Sequence, residues 1–528
     1  DLSTLTGDVK NEEAEKPEFK KEIRDNNDTT GITSGWQDSA DYDIGDEVPY
    51  RLTATLADNV TDYLNYHITF EDAMEKGLTF NGISKVTVNG TAIQEKTEET
   101  DGYELTADEY GFNLTLTWKG EEGRKITNSS LNKAKVEVYF TAILNEDAIL
   151  GNEGNVNTAK LVYSCNPNVN ENGEQEDETE ETEEDSVIAF TYEVVINKVD
   201  EDGNALSGAA FKLEKKLADG TLKQIGTIES EAGNVFTFTG LDDGDYILTE
   251  TKIPAGMKAI DPIEFTVTAE HAIVWNGTER TEVLTSLTGN VVTGELTFEA
   301  DNDLSTLTGD VKNEEAEKPE LEKKIADVND SEATLPEDIT EIENWQDSAD
   351  YDIGDEVPFR LTATIAADYA NYTHGYKLTF HDEQSAGLTF NADSVEVFVD
   401  GNKITTGYQV VTTGLTAPET FQIKFANLKD ITAVQGGSVI TVTYTSTLND
   451  NAVIGKAGNP NESYVTYTNN PNDDQGGENG TTPDDKVVVF TYKVDVDKVD
   501  ADGDPLTGAG FTLYKKNAAG TYVAIGDE

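Results

Sequence analysis

Apolar and polar residues alternate in short runs along the whole chain. YHITF (66–70), KVTVNG (85–90), NLTLTW (113–118), KVEVYFTAIL (135–144), VFTFTG (235–240) and DYILTE (245–250) are examples. Such runs, β-branched or aromatic and bounded by Gly, Asn or Asp, are the mark of short strands closed by turns. No stretch keeps a 3.6-residue apolar period over three turns, so no substantial amphipathic helix is expected. Closely spaced short strands predict an all-β protein: tandem immunoglobulin-like β-sandwich domains in an elongated array.

The pattern repeats. DLSTLTGDVKNEEAEKPE occupies 1–18 and returns unchanged at 303–320. WQDSADYDIGDEVP stands at 36–49 and again at 345–358, and AFTYEVVINKVDEDGNALSGAAFKL (189–213) answers to VFTYKVDVDKVDADGDPLTGAGFTL (489–513). A period this long means a repeated pair of domains. Two acidic, turn-rich stretches, 166–185 and 470–485, read as solvated linkers or long loops. The division that follows is a closing strand of a preceding small domain (1–11), a large domain (12–186), a small domain (187–313), a second large domain (314–486) and a partial small domain (487–528).

Successive side chains of a strand point to opposite faces. In KPEFKKEI, Lys21 therefore shares the apolar face of Phe19 and Ile23, and Lys323 shares that of Leu321 and Ile325. Lys198 follows Tyr192, Val194 and Ile196 on one face, and Lys498 follows Tyr492, Val494 and Val496. Acids close other apolar rows: Asp72 after Tyr66, Ile68 and Phe70; Asp382 after Tyr376, Leu378 and Phe380; Glu250 after Tyr246 and Leu248. One reading is a strand-end salt bridge or a side chain snorkelling to water. The other is covalent. A buried lysine loses its proton and becomes a nucleophile, and a buried acid keeps its proton and polarises a carboxamide. Beside an asparagine, that pair forms a Lys–Asn isopeptide bond and releases ammonia.

Composition removes several functions. The 528 residues include 103 acidic and 38 basic, a net charge of −65. Nucleic-acid backbones and anionic membranes are thus excluded as main partners. Cys165 is the only cysteine, so no internal disulfide exists, and it reads as a free thiol. No signal peptide, membrane-spanning run or anchor is seen, TLPED (334–338) lacks the ending of a sortase signal, and the sequence reads as an excised piece. His67, His271, His374 and His381 show no metal-ligand spacing. Counted from Asp200, the twelfth position of VDEDGNALSGAAF is Phe211, which fails an EF-hand. No cofactor is expected, beyond weak Ca²⁺ binding at acidic loops such as DYDIGDE (41–47).

INKVDEDGNALSGAAFKL together with DGDYILTETKIPAGM resembles the Cna B-type (SpaA-like) domain of Gram-positive pilins and adhesins. KPEFKKEI, YDIGDEVPYRLT, HITFEDAMEKGLTF and LNEDAILGNEGNVNTAKLVYSCNPN resemble the Cna A-like, fimbrial isopeptide-forming domain. The resemblance implies sandwiches locked by autocatalytic isopeptide bonds and displayed by sortase on a cell wall, outside the cell. It pairs Lys21 with Asn157 under Asp72, Lys323 with Asn461 under Asp382, and Lys198 with Asn313 under Glu250. Asn157 shares a strand face with Ala159, Leu161 and Tyr163, and Asn313 with Leu307, Gly309 and Val311. Asn166, Asn470 and Asn302 are the rival acceptors. Asn11 and Lys498 stand without partners in this sequence, and no YPK-type pilin motif is present.

The function implied is a structural surface stalk of a pilus or repeat adhesin, not an enzyme on external substrates. Its partners would be neighbouring repeats or pilin subunits. The alternative is a binding module for host glycan or matrix protein, hinted at by Trp36 and Trp345, for which core or inter-domain packing is the simpler role.

Overall fold

The computed structural model describes residues 15–98, 100–271, 274–276, 279–281, 284–471 and 479–525. Asn11 lies outside them. Two compact units divide the chain: Asp1–Thr251 with Ile260–Lys312, and Lys252–Ala259 with Asn313–Glu528. Among the described residues there are strands and single-turn 3₁₀ segments but no α-helix. No helix is long and apolar enough to cross a membrane.

In the first unit, alternation builds a large sandwich of two facing sheets. One sheet runs in the order Ile32–Gln37, Glu18–Asn27, Glu47–Thr55, Lys135–Leu144, Leu78–Val88, Thr91–Ile93. Its partner runs Ser39–Asp41, Asp185–Phe190, Asn155–Ser164, Asn65–Met74, Gly111–Lys119, Glu104–Asp108. Inward residues of both sheets, among them Tyr50, Leu52, Ile68, Phe70, Phe140 and Leu161, form one buried core. This is what period-2 patterning requires of two half-buried sheets. A small sandwich follows. Tyr192–Asp200 lies between Val235–Leu241 and Thr306–Asn313 in one sheet, and Ala210–Lys216, Gly244–Lys252 and Ile263–His271 are central in the other.

Strand pairing moves both boundaries between a large domain and the small one after it. As Asp485–Phe490 does in the second copy, Asp185–Phe190 pairs with earlier strands, Asn155–Ser164 and Ser39–Asp41, so the first large sandwich runs past position 186 to Phe190. The strand is a wall between two cores. Val187 and Ala189 pack into the large sandwich, Ile188 and Phe190 into the small one.

The second unit repeats the large sandwich strand for strand, from Glu320–Ala326 paired with Glu356–Thr364 through Asn459–Thr468 paired with Asp485–Phe490. Among its described residues the partial small domain has the hairpin Leu513–Lys516 with Tyr522–Ile525 and an isolated bridge between Val499 and Pro505. There the expected inward row is on the surface: Tyr492, Val494 and Val496 are exposed, and so is Lys498. Their counterparts in the first copy are covered by Phe236, Phe238, Leu248 and Val311.

Candidate functional site

Each large sandwich sets a lysine from one sheet against an acid and an asparagine from the other. Lys21 lies on Glu18–Asn27, opposite Leu52. Asp72 and Asn157 lie on adjacent strands of the facing sheet, where Asp72 pairs with Ala159 and Asn157 with Met74. Lys21 and Asn157 are fully buried and Asp72 nearly so. The Lys21 ammonium nitrogen contacts the Asp72 carboxylate across the core. Burial holds the Lys21 pKa below its ordinary value, with Asp72 opposing the shift. Burial also raises that of Asp72, against the opposing influence of Lys21 and Asn157. Both shifts favour a neutral amine beside a neutral acid. The Asn157 carboxamide stabilises the Asp72 carboxylate, yet neither of its polar atoms makes a hydrogen bond of normal geometry. An unsatisfied buried amide is rare in a folded core.

The second large sandwich gathers the equivalent groups. Lys323, Asp382 and Asn461 are all fully buried. Lys323 Nζ lies 2.5 Å from Asp382 Oδ2, and burial again lowers the lysine pKa, with Asp382 opposing. Here two hydroxyls join in. Ser463 Oγ lies 2.7 Å from Lys323 Nζ and donates to Asp382 Oδ2 at 2.7 Å. The Tyr444 hydroxyl lies 3.0 Å from Lys323 Nζ, donates to Asp382 Oδ2 at 2.8 Å, and accepts from Asn461 Nδ2 at 3.0 Å.

In both sandwiches the lysine is boxed by a stacked pair of rings. Tyr50 and Phe140 stack at 5.1 Å in the first, Phe359 and Tyr444 at 5.2 Å in the second. Phe140 pairs with Tyr50 in register, and Tyr444 with Phe359. The tyrosine has therefore changed strands between the copies. In the first site, the Tyr50 hydroxyl has no hydrogen-bond partner.

Local sequence explains how the acceptor strand is set. Gly154 and Gly458 have φ of +58° and +61°, in the left-handed region. A Cβ on Gly154 would come within 2.4 Å of Ile188, and one on Gly458 within 2.5 Å of Val488. The next residue is a clamp. Asn155 Oδ1 accepts from Ile149 N–H at 2.9 Å, and its Nδ2 donates to the carbonyls of Ile149 (3.0 Å) and Ala189 (3.2 Å). Asn459 does the same with Val453 and Val489. Two residues on, Asn157 and Asn461 face the core. Each lysine strand is also pinned by its backbone: Lys21 N–H donates to Asp185 and Lys323 N–H to Asp485, both at 2.7 Å.

The small domain is assembled differently. Lys198 is buried, and its Nζ donates to the carbonyls of Val311 (3.0 Å) and Val199 (3.3 Å). Burial pulls its pKa down to about 8, against the pull of Glu250, which is only half-buried. Asn313 closes the strand that contains Val311; it is buried, and its Nδ2 donates to the Lys258 carbonyl at 3.0 Å. The rival acceptors sit otherwise. Asn302 is exposed in a turn, Asn166 donates to Glu178 at 3.1 Å on a half-buried loop, and Asn470 is half-buried.

Other groups became visible only in three dimensions. Lys215, fully buried, is held by Asp28 at 2.6 Å and by Asp43 at 3.5 Å, and it contacts Asp242. It keys the small sandwich onto the large one, and Lys515 repeats the arrangement with Asp330 (2.7 Å) and Asp352 (2.6 Å). His271 is brought beside Asp25 and Asp41, which sequence spacing gives no reason to expect. Trp36 lies outside the buried core: it is half-buried, with the guanidinium groups of Arg24 and Arg51 over its ring at 4.5 and 4.8 Å. Trp345 is likewise covered by Arg360 at 4.9 Å.

Two segments of the chain match known family models. Residues 44–167 match the family model of the Gram-positive pilin backbone subunit 2, Cna-B-like domain. Residues 192–281 match the SpaA prealbumin-like fold domain. The first carries a Cna-B-like description where the motifs suggest the A-like type. The trypsin-resistant surface T6 protein of Streptococcus pyogenes serotype M6 is 27% identical over 230 residues, which is 40% of this chain and 40% of that protein. This chain thus spans well under half the length of that curated relative. Among solved structures, the T6 backbone pilin of the same serotype is similar at 20% identity and a TM-score of 0.39, over 57% of this chain and 70% of that one. The major pilin subunit BcpA of Bacillus cereus is similar at 18% identity and a TM-score of 0.35, over 57% and 71%.

Proposed function

We propose that this chain is a segment of a pilus shaft, a structural stalk whose sandwiches are cross-linked by Lys–Asn isopeptide bonds that they form themselves. The observation that carries the reading is the doubled site. Two large sandwiches each place a buried lysine, a buried acid and a buried asparagine together across facing sheets. A salt bridge alone gives no reason for a buried asparagine amide without normal hydrogen bonds in the same place. The matches to pilin domains support the same reading.

The chemistry follows from the groups. Neutral Lys21 Nζ attacks Asn157 Cγ, and a C–N bond forms while the carbonyl π pair moves to oxygen. Asp72, which holds a proton, gives it to the former amide nitrogen and takes in its place the one lost by the amine. The bond to that nitrogen then breaks with its electron pair, ammonia leaves, and the carbonyl re-forms. Lys323, Asp382 and Asn461 act alike. Lys198 and Asn313, with Glu250, form the third pair. The enclosing rings exclude water and keep the amine unprotonated.

On this reading the chain lies outside the cell on a Gram-positive surface, and its partners are further pilin subunits. Trp36 and Trp345 stack with guanidinium groups, which gives them a structural role of their own. Intact-mass measurement is the test. One ammonia is lost for each link, up to three in this chain, and Asp72→Ala, Asp382→Ala and Glu250→Ala each restore one. An unmodified wild-type mass refutes the reading.

A further inference from the structure

The two large sandwiches do not place the same groups around the reacting atoms. We infer that Tyr444 is a catalytic residue of the second sandwich, a proton relay that carries the proton from Asp382 to the departing nitrogen of Asn461, and that the first sandwich works without one. The inference rests on the cross-linking chemistry proposed above and assigns a further residue to it.

The geometry is specific. The Tyr444 hydroxyl is the one group among the described contacts that touches all three reactants: Lys323 Nζ at 3.0 Å, Asp382 Oδ2 at 2.8 Å and Asn461 Nδ2 at 3.0 Å. It already donates to the acid and accepts from the nitrogen that must leave as ammonia. Attack by Lys323 turns Asn461 Nδ2 from a planar amide into an amine with a free lone pair. Its polarity as a hydrogen-bond partner then reverses. Asp382 donates its proton to the tyrosine oxygen, the tyrosine O–H proton passes to Nδ2, and Asp382 takes in its place the proton that Lys323 Nζ loses. The C–Nδ2 bond breaks with its pair to nitrogen. No proton is gained or lost overall, and no co-reactant is needed.

The rest of the site fits a relay. Ser463 Oγ bridges Lys323 and Asp382 at 2.7 Å each, which holds the acid's Oδ2 towards both the amine and the phenol. In the first sandwich, Phe140 occupies the place of Tyr444, and Ala159 that of Ser463. The first site keeps one hydroxyl, that of Tyr50 on the opposite strand, and it has no hydrogen-bond partner. Asp72 must reach Asn157 directly.

The test uses the full chain and its own internal clock. Freshly translated protein is quenched at intervals and digested, and the Lys21–Asn157 and Lys323–Asn461 cross-linked peptides are quantified by mass spectrometry. Tyr444→Phe keeps the ring and its stacking. It is expected to slow formation of the second link at least tenfold and to leave the first unchanged. The mirror variant, Phe359→Tyr with Tyr444→Phe, gives the second site the ring placement of the first while keeping Ser463, and is expected to be as slow as Tyr444→Phe. Adding Tyr444→Phe to Asp382→Ala, in which no second link forms, is expected to leave the unfolding midpoint in place, which separates a packing defect from a chemical one. Equal rates for wild type and Tyr444→Phe overturn the relay, and so does a rate lost only together with the folded state. Absence of both links from the wild-type chain overturns the cross-linking reading itself, a different result from loss of the relay.

Discussion

Replacing Lys21 and Asp72 together, as Lys21→Met with Asp72→Leu, separates a covalent link from an ion pair by the sign of its effect. Lys21 and Asp72 are both fully desolvated at their side chains. If they were only an ion pair, replacing both by apolar side chains would be neutral or would stabilise by about 1–4 kcal/mol. A link from position 21 to 157 instead closes a loop of 137 residues (157 − 21 + 1). By the chain-entropy relation that describes disulfides, the loop-closure entropy removed from the unfolded chain is then worth about 5 kcal/mol. In a domain of this size that corresponds to roughly 10–20 °C in midpoint. Calorimetry on wild type and the double variant, paired with intact mass, is the assay. The expected outcome is a large fall in midpoint together with one ammonia retained. A midpoint that holds or rises refutes the reasoning, whatever the quality of the fold.

Three further outcomes follow from the same structure. Lys215→Met strands Asp28, Asp43 and Asp242 around an empty position, at an expected cost of about 3–5 kcal/mol in urea unfolding of the full chain, and a loss under about 1 kcal/mol contradicts the junction described. The junction should also weaken as pH rises. Burial, then Asp41 and Asp243, pushes Asp25 up to about 7, and burial, then Asp41, pushes Asp243 up to about 6, so the folded unit holds protons that the unfolded chain releases near pH 4. That stability is complete below about pH 4 and is lost as pH climbs to about 7. Burial pulls the His271 pKa down, but Asp41, Asp25 and Asp243 outweigh it and hold it above the ordinary value, so its share is lost as pH passes that raised value. Asp25→Asn is expected to flatten the stability profile between pH 5 and 8, and NMR titration of His271 with a midpoint below about 6.5 contradicts the assignment. Finally, Gly77→Ala puts a Cβ 2.0 Å from Asn155 Oδ1 and 2.7 Å from Ala148 Cα, displacing the clamp ahead of Asn157. About 1–3 kcal/mol of destabilisation is expected in chemical denaturation, and an unchanged midpoint means the clamp yields freely.

Much of this was written in the alternation. Lys21 and Asp72 share faces with apolar residues, and a face buried at neighbouring positions is buried at theirs. The wrong-faced lysines were legible for that reason, and so were the strands, because period 2 is local. What sequence withholds is which residues meet across the gap between two sheets. Phe140 and Tyr444 read alike as apolar strand residues, and only register puts one beside a silent ring and the other beside three reacting groups. The Asn155 clamp was hidden in the same way. Its signal was present in GNVN and GNPN, where a glycine in the left-handed region precedes an asparagine bonded to the loop before it. The Lys215 cluster joins residues 28, 43 and 242, separations that no periodicity spans. Even the domain boundary misled, since the acidic linker ends near residue 185 while sheet pairing continues to Phe190.

That last strand has a thermodynamic consequence. Asp185–Phe190 gives Val187 and Ala189 to one core and Ile188 and Phe190 to the next, and Thr191 then leads straight into Tyr192–Asp200. Thr191 itself is tied at both ends: its carbonyl accepts from Gly151 N–H at 2.9 Å, and its hydroxyl donates to the Leu241 carbonyl at 3.2 Å. Neither sandwich can lose this strand without opening the other. The pair is one cooperative unit on heating, expected to melt in a single calorimetric transition where two independent domains would give two. Local openings of either sandwich that involve this strand carry the free energy of both, and a nick in a surface loop of one leaves its closing wall held by its neighbour.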